Sequence, residues 1–216
     1  MDRSLEAILK NETVNGWRLF ALVALPICLV VVIAMTRADL SSAEDISSLL
    51  QLSVRCSVPW LYLAFAASSL RVLFPGAFSR WLMRNRRIVG LCFAAGMAWQ
   101  LVFILWMVTG FRNYYAEEVY VFSDIAVQIP GYVFLTAMTI TSFMPVRRKL
   151  NPNQWRMLHK TGIYFLWGTV WSTYWYELYY YDDIQSIDYV YYWAGFIAWG
   201  LRACAWSEKR LRLAAS

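Results

Sequence analysis

Histidine is all but missing from this chain, which carries one, His159, in 216 residues. With a single histidine, no multi-histidine metal site and no catalytic triad can be assembled. Cysteine is sparse too. Cys28, Cys56, Cys92 and Cys204 stand singly in separate apolar segments, without the paired spacing of a zinc or thioredoxin-like motif, and read as buried packing thiols. Charged residues make up only 16% of the chain, and none falls at the centre of an apolar run. That speaks against a transporter or channel, which calls for intramembrane carboxylates or broken helices near the midplane. The sequence also lacks an internal repeat, a low-complexity tract and a flavin- or nicotinamide-binding domain, so one domain is expected.

What the chain does have is apolar surface. It is 60% hydrophobic and 18% aromatic, with a mean hydropathy of +0.42. A soluble domain is about 45–50% apolar, so this balance points to a membrane protein. The net charge of +6 is not that of a nucleic-acid-binding module. Its basic residues fall in short loops between apolar runs, where they set topology and meet anionic headgroups.

Six runs have the length of a bilayer crossing, roughly 20 residues each: 17–36, 52–74, 88–110, 125–143, 157–178 and 189–206. The expected fold is therefore all-α, a polytopic bundle of six transmembrane helices. Met1 to Gly16 reads as a short surface helix or a frayed end, and the first run, followed by Arg37-Ala38-Asp39 rather than a cleavage site, as a retained helix. Ser42 stands three residues before Asp45, the spacing of a capping box that starts a helix. Pro75-Gly76 stops the second run, and Arg80 to Arg87 reads as a basic loop. Gly90 and Gly96 are expected close-packing positions of the third run, Pro145 ends the fourth, and Asn151-Pro152 is an N-cap and first-turn pair for the fifth.

An even number of spans places both termini on one side. One set of loops holds Arg80, Arg84, Arg86 and Arg87, then Arg147, Arg148, Lys149 and Arg156, then Lys209, Arg210 and Arg212. The opposite set holds Glu44, Asp45, Glu117, Glu118, Asp182, Asp183 and Asp188, and only Arg37 and Arg112 break the alternation. Lys and Arg accumulate on the cytoplasmic side, so cytoplasmic termini in a bacterial inner membrane are expected. Tyrosines crowd the other side, among them Tyr174, Tyr176, Tyr179, Tyr180, Tyr181, Tyr191 and Tyr192. They form an interfacial belt or an outward-facing platform for a partner protein. Arg55 and Glu177, both near that end, could form an ion pair, since each is costly at depth and calls for a partner, or both simply reach the headgroups.

His159 stands where a basic loop turns into the fifth run. It reads either as an interfacial polar residue at a helix start or as a haem or metal ligand. Three local patterns bear on the choice. Arg86-Arg87-Ile88-Val89-Gly90-Leu91 opens the third run, Arg147 to Asn153 is an Arg-rich turn, and Trp155-Arg156-Met157-Leu158-His159-Lys160 opens the fifth. In order and spacing they resemble the ferric-reductase-like transmembrane domain, nearest to the haem-binding membrane subunit of the bacterial methionine sulfoxide reductase system. The likeness covers about Trp81 to Tyr176.

That resemblance implies b-type haem gripped by histidines of the third and fifth helices, with electrons passing from a cytoplasmic flavoprotein to an extracytoplasmic acceptor. At most it implies a non-catalytic electron-transfer subunit. Arg84, Arg86, Arg87, Arg147, Arg148 and Lys149 would then form the docking face. Two of the implied ligand positions hold other residues. Gln100 stands ten residues after Gly90, and Ser172 stands thirteen after His159. Both are poor ligands for ferrous iron, which leaves the outer haem level bare, and a Gln100–Ser172 hydrogen bond across the bundle is the expected replacement. His159 alone could carry one b-type haem, five-coordinate or with a methionine opposite, though no methionine has a position that compels it: Met97 stands a turn from Gln100, too deep, and Met83 stands in the loop before the third run. The alternative is a haem-free descendant with a structural, assembly or ligand-binding role.

Overall fold

The computed structural model describes residues 2–116, 122–180 and 184–214. Among them every regular element is helical: α1 (Asp2–Lys10), a 3₁₀ turn (Glu12–Val14), α2 (Gly16–Met35), α3 (Ala43–Leu73), α4 (Ala77–Gly110), α5 (Arg112–Tyr114), α6 (Phe122–Ile140), α7 (Met144–Arg147), α8 (Pro152–Tyr180) and α9 (Ser186–Ala214). Of these, α2, α3 and α4 are both long and apolar enough to cross a membrane. The described apolar stretch of α6, Val127–Ile140, is shorter. At 29 residues each, α8 and α9 reach about 43 Å at 1.5 Å per residue, but carry more Tyr, Trp and charge. Glu117, Glu118, Tyr181, Asp182 and Asp183 of the expected outer loops lie outside the described residues.

Local chemistry sets the helix starts. Ser42 caps α3 by accepting from the Asp45 amide at 3.4 Å, while the Asp45 carboxylate turns back to the Asp39 amide at 2.6 Å. Asn151 caps α8 with Pro152 in the first turn. Its side chain accepts from the Asn153 amide, its own N–H donates to the Gln154 side chain, both at 3.0 Å, and two orphan donors are met. Pro75-Gly76 separates α3 from α4 as expected.

Two expectations are corrected here. The basic segment Arg80 to Arg87 is not a loop but part of the opening turns of α4. The Ser79 hydroxyl accepts from the Gly76 amide at 3.0 Å, so the helix starts directly after Pro75-Gly76 and takes the arginines in. Pro145 does not end the fourth helix either. That helix stops at Ile140, and Pro145 sits in the first turn of α7.

The N-terminal segment is a docked element. Trp81 Nε1 donates to the Val14 carbonyl at 2.8 Å, Gly16 N–H donates to Asn85 Oδ1 at 3.0 Å, and Asn85 Nδ2 donates to Asn15 Oδ1 at 2.8 Å. Gly16 adopts φ +59 there, a turn that costs glycine little. The core is three clusters strung along the bundle. Phe65, Phe93, Leu135, Ile163, Leu166 and Val170 join α3, α4, α6 and α8, Ala64 and Ile88 join α3 and α4 beside α2, and Val31, Ile46 and Phe103 close the far end. Outside, apolar side chains stay exposed on α2 (Leu25, Leu29), α4 (Leu101, Leu105), α6 (Ile129, Val133) and α9 (Trp193, Ile197). Exposed apolar faces on several sides suit a lipid solvent better than water.

The seam between α3 and α4 is built on small residues. A Cβ on Gly96 would collide with the Ser57 side chain and come within 3.4 Å of the Ser53 carbonyl. Gly90, expected to do the same, has nothing within 4 Å of that position. Gly96→Ala should therefore lower stability by about 1–3 kcal/mol through overpacking. Gly90→Ala should be neutral or slightly stabilising, and thermal unfolding of both variants in detergent checks the contrast.

Candidate functional site

His159 lies in the second turn of α8 and faces α6. Its Nε2 is 3.1 Å from Thr141 Oγ1, while that hydroxyl is also 2.6 Å from the Ala137 carbonyl. A hydroxyl has one proton, and the shorter contact takes it, so the imidazole Nε2–H is the donor to Thr141. The ring packs on Trp155, one turn back, with centroids 4.4 Å apart, and Arg147 of α7 lies 4.6 Å from the centroid of the Trp155 ring. Guanidinium, indole and imidazole thus form one layered unit where α6, α7 and α8 meet.

The other two implied ligand positions do not meet each other. Gln100 Oε1 accepts from the Tyr132 hydroxyl at 2.7 Å, which ties α4 to α6. Ser172 Oγ donates to the Thr169 carbonyl of its own helix at 2.8 Å. The expected Gln100–Ser172 bond is thereby corrected: serine's short side chain finds a carbonyl within its own helix, and Tyr132 reaches glutamine first. As placed, these residues do not form the histidine pair of a b-type haem: His159 Nε2 is bonded to Thr141, the positions of Gln100 and Ser172 offer no imidazole, and Phe93 and Met97 of α4 share an apolar cluster with Ile163, Leu166 and Val170 of α8. Met83 is exposed. Among the described residues, no three or more His, Cys, Asp or Glu side chains gather as a metal site.

The basic residues are divided in their duties. Arg84 donates to Asn15 Oδ1 and the Leu9 carbonyl, both at 2.9 Å, and Arg87 lies 6.0 Å from the Trp17 ring. Arg86 turns inward, its Nε donating to the Ala64 carbonyl at 3.0 Å. Arg147 is on Trp155, and Arg148 and Lys149 remain exposed.

At the opposite end the structure holds a buried ion pair. Asp188 is 1% exposed and its carboxylate is 3.2 Å from Arg55 Nη2. Arg55 Nη1 also donates to Gln185 at 2.7 Å, the Gln185 amide donates back to Asp188 at 3.1 Å, and Tyr191 Oη donates to the Arg55 carbonyl at 2.8 Å. The expected partner, Glu177, is therefore replaced by Asp188. The first turn of α9 folds its third residue back onto the Gln185 amide, and this sets the carboxylate in front of Arg55. Sequence reading missed Thr141, Tyr132 and Asp188 as partners. The one signal in the chain was Gln185-x-x-Asp188, which gives Asp188 the N3 spacing of a capping box at a helix start.

Comparison of the chain with protein-family models, with curated proteins and with solved structures finds no match. Removing one member of a buried pair strands the other, at about 3 kcal/mol when burial is nearly complete. Asp188→Ala should lower stability by about that much in thermal unfolding, while Glu177→Gln should change it by less than ~1 kcal/mol.

Proposed function

We propose that this chain is a six-span integral membrane protein of ferric-reductase-like architecture that works without haem, as an assembly or ligand-binding subunit. The observation that carries the reading is the use of the ligand positions. His159 is bonded to Thr141 and Gln100 to Tyr132, so both serve as ties to α6. Ferrous iron needs neutral imidazole lone pairs aimed between two helices, and here the space between α4 and α8 is filled with apolar side chains. The order of the Arg86–Leu91, Arg147–Asn153 and Trp155–Lys160 patterns supports the architecture.

Six spans are supported by the six helices of 19 residues or more and by the apolar side chains exposed on α2, α4, α6 and α9. The end that carries Arg80, Arg84, Arg147 and Arg148 is cytoplasmic in this reading, with both termini, in a bacterial inner membrane. Its basic residues are a reduced docking face for a flavoprotein, because four of the six expected are engaged within the chain. The more open face is the other end, where Tyr176, Tyr179, Tyr180 and Tyr189 are exposed. A rim of tyrosines suits an extracytoplasmic partner or an amphipathic ligand.

The test is an absorption spectrum of protein expressed with ample haem and purified in detergent, oxidised and then reduced with dithionite. A spectrum without a Soret band is expected. A Soret band with sharpened reduced bands, lost in His159→Ala, would restore an electron-transfer role. Orientation is checked separately with single cysteines on a cysteine-free background. A cysteine at Arg148 should react with a membrane-impermeant thiol reagent only after the cells are opened, and one at Tyr180 in intact spheroplasts.

A further inference from the structure

Two arginines converge on one turn of α3 at the basic end of the bundle. Arg86 of α4 donates through Nε to the Ala64 carbonyl at 3.0 Å. Arg202 of α9 lies 4.4 Å from the ring centroid of Phe65, the next residue, and 4.4 Å from that of Tyr164 on α8. Each is half-buried. Arg202 Nη1 is fully buried with no hydrogen-bond partner, as is Trp155 Nε1. Arg86 lies within electrostatic reach of Arg202 and of the His159 imidazole, and Arg147 lies within reach of His159 as well. Among the described residues no carboxylate faces any of them. Those at this end are occupied elsewhere, Glu6 with Lys10 and Arg80, Glu12 with Arg18, and Glu208 with Arg212.

Guanidinium groups set together at half burial repel one another and are costly without a counter-charge. The π faces of Phe65 and Tyr164 offset part of that cost for Arg202 but satisfy none of its N–H donors. The missing component is an anion with several acceptor oxygens, and two guanidinium forks match the geometry of a phosphate group. Tyr164 also lines an open groove of about 610 Å³ with Met157, Lys160, Thr161 and Phe165. That groove has an ammonium group at one side and an apolar wall, the form of a seat for an acyl chain beneath a headgroup.

We propose that Arg86 and Arg202 bind the phosphate of an anionic phospholipid, whose chain lies along the Met157–Phe165 face of α8. The site rests on the haem-free reading in one respect, since the propionates of a haem could otherwise supply the negative charge. The absorption spectrum described above tests that separately.

The experiment is a thermal melt of the full chain in a non-ionic detergent, followed by tryptophan fluorescence. Phosphatidylglycerol, phosphatidylcholine or inorganic phosphate is titrated in. Phosphatidylglycerol should raise the midpoint by about 4 °C at saturation, and phosphatidylcholine should not. The shift should disappear in R86Q/R202Q and persist in R148Q/K149Q, which loses the same charge from the exposed loop. An equal shift with inorganic phosphate, lost in the same variant, would support the site with a free anion as its ligand. No shift with either anion, a shift shared by phosphatidylcholine, or one retained in R86Q/R202Q would overturn it. Should R86Q/R202Q fail to fold, Arg202→Lys is titrated instead, because it keeps the charge but loses the stacked fork. A lipid midpoint about tenfold higher supports the site, and an unchanged midpoint overturns it.

Discussion

The bundle depends on how closely α3 can approach its neighbours. α3 packs against α2, α4, α8 and α9, so every other long helix except α6 takes its position from it. Its contact face is made of small residues where the backbones meet (Ser53, Ser57, Ala64, Ala67) and of large ones where side chains interdigitate (Leu61, Phe65). The serine hydroxyls do not need partners on α4. Ser53 donates to the Leu50 carbonyl at 2.7 Å and Ser57 to the Ser53 carbonyl at 2.6 Å, both within α3. Back-bonding of this kind hides the polar groups and leaves a smooth surface for Gly96. In a lipid solvent there is little hydrophobic force between helices, and close packing of small residues is what holds them.

Charge gathers at the two ends, and the ends solve its burial differently. At the acidic end the chain carries its own counter-charge, with Asp188 held against Arg55 by the first turn of α9. At the basic end Arg86 and Arg202 sit without one among the described residues. Glu6, Glu12 and Glu208 lie at that end and pair with more exposed partners.

Much of the architecture was legible in the sequence because its causes are local. The three helices long and apolar enough to cross a bilayer, Pro75-Gly76 as a break, Ser42 and Asn151-Pro152 as caps, and Gly96 as a close approach each depend on a few neighbouring residues. The misreadings share a different origin. Arg80 to Arg87 reads as a loop because charge density suggests solvent, yet Arg84 and Arg86 find acceptors on Asn15 and Ala64. Gly90 and Gly96 are indistinguishable by composition, and only the neighbouring helix decides which one is crowded. Arg55 has two carboxylates within the right stretch of chain, and the choice between Glu177 and Asp188 is made by the start of α9. The candidate site was legible as a set of positions and not as a set of bonds.

His159 shows why that distinction matters for function. The position alone leaves two readings open, an interfacial polar residue at a helix start or a haem or metal ligand. Its surroundings give the imidazole a different duty. A ring whose Nε2–H goes to Thr141 and whose face lies on Trp155 links the end of α6 to the start of α8 across the short α7. Gln100 does the same from α4 through Tyr132. Ser172 instead bonds its own helix. Two of the three positions therefore hold α6, the long helix that takes least of its position from α3. Cross-links of this kind fix α6 against α4 and α8 through side-chain hydrogen bonds, which gives both His159 and Gln100 a structural duty in the bundle.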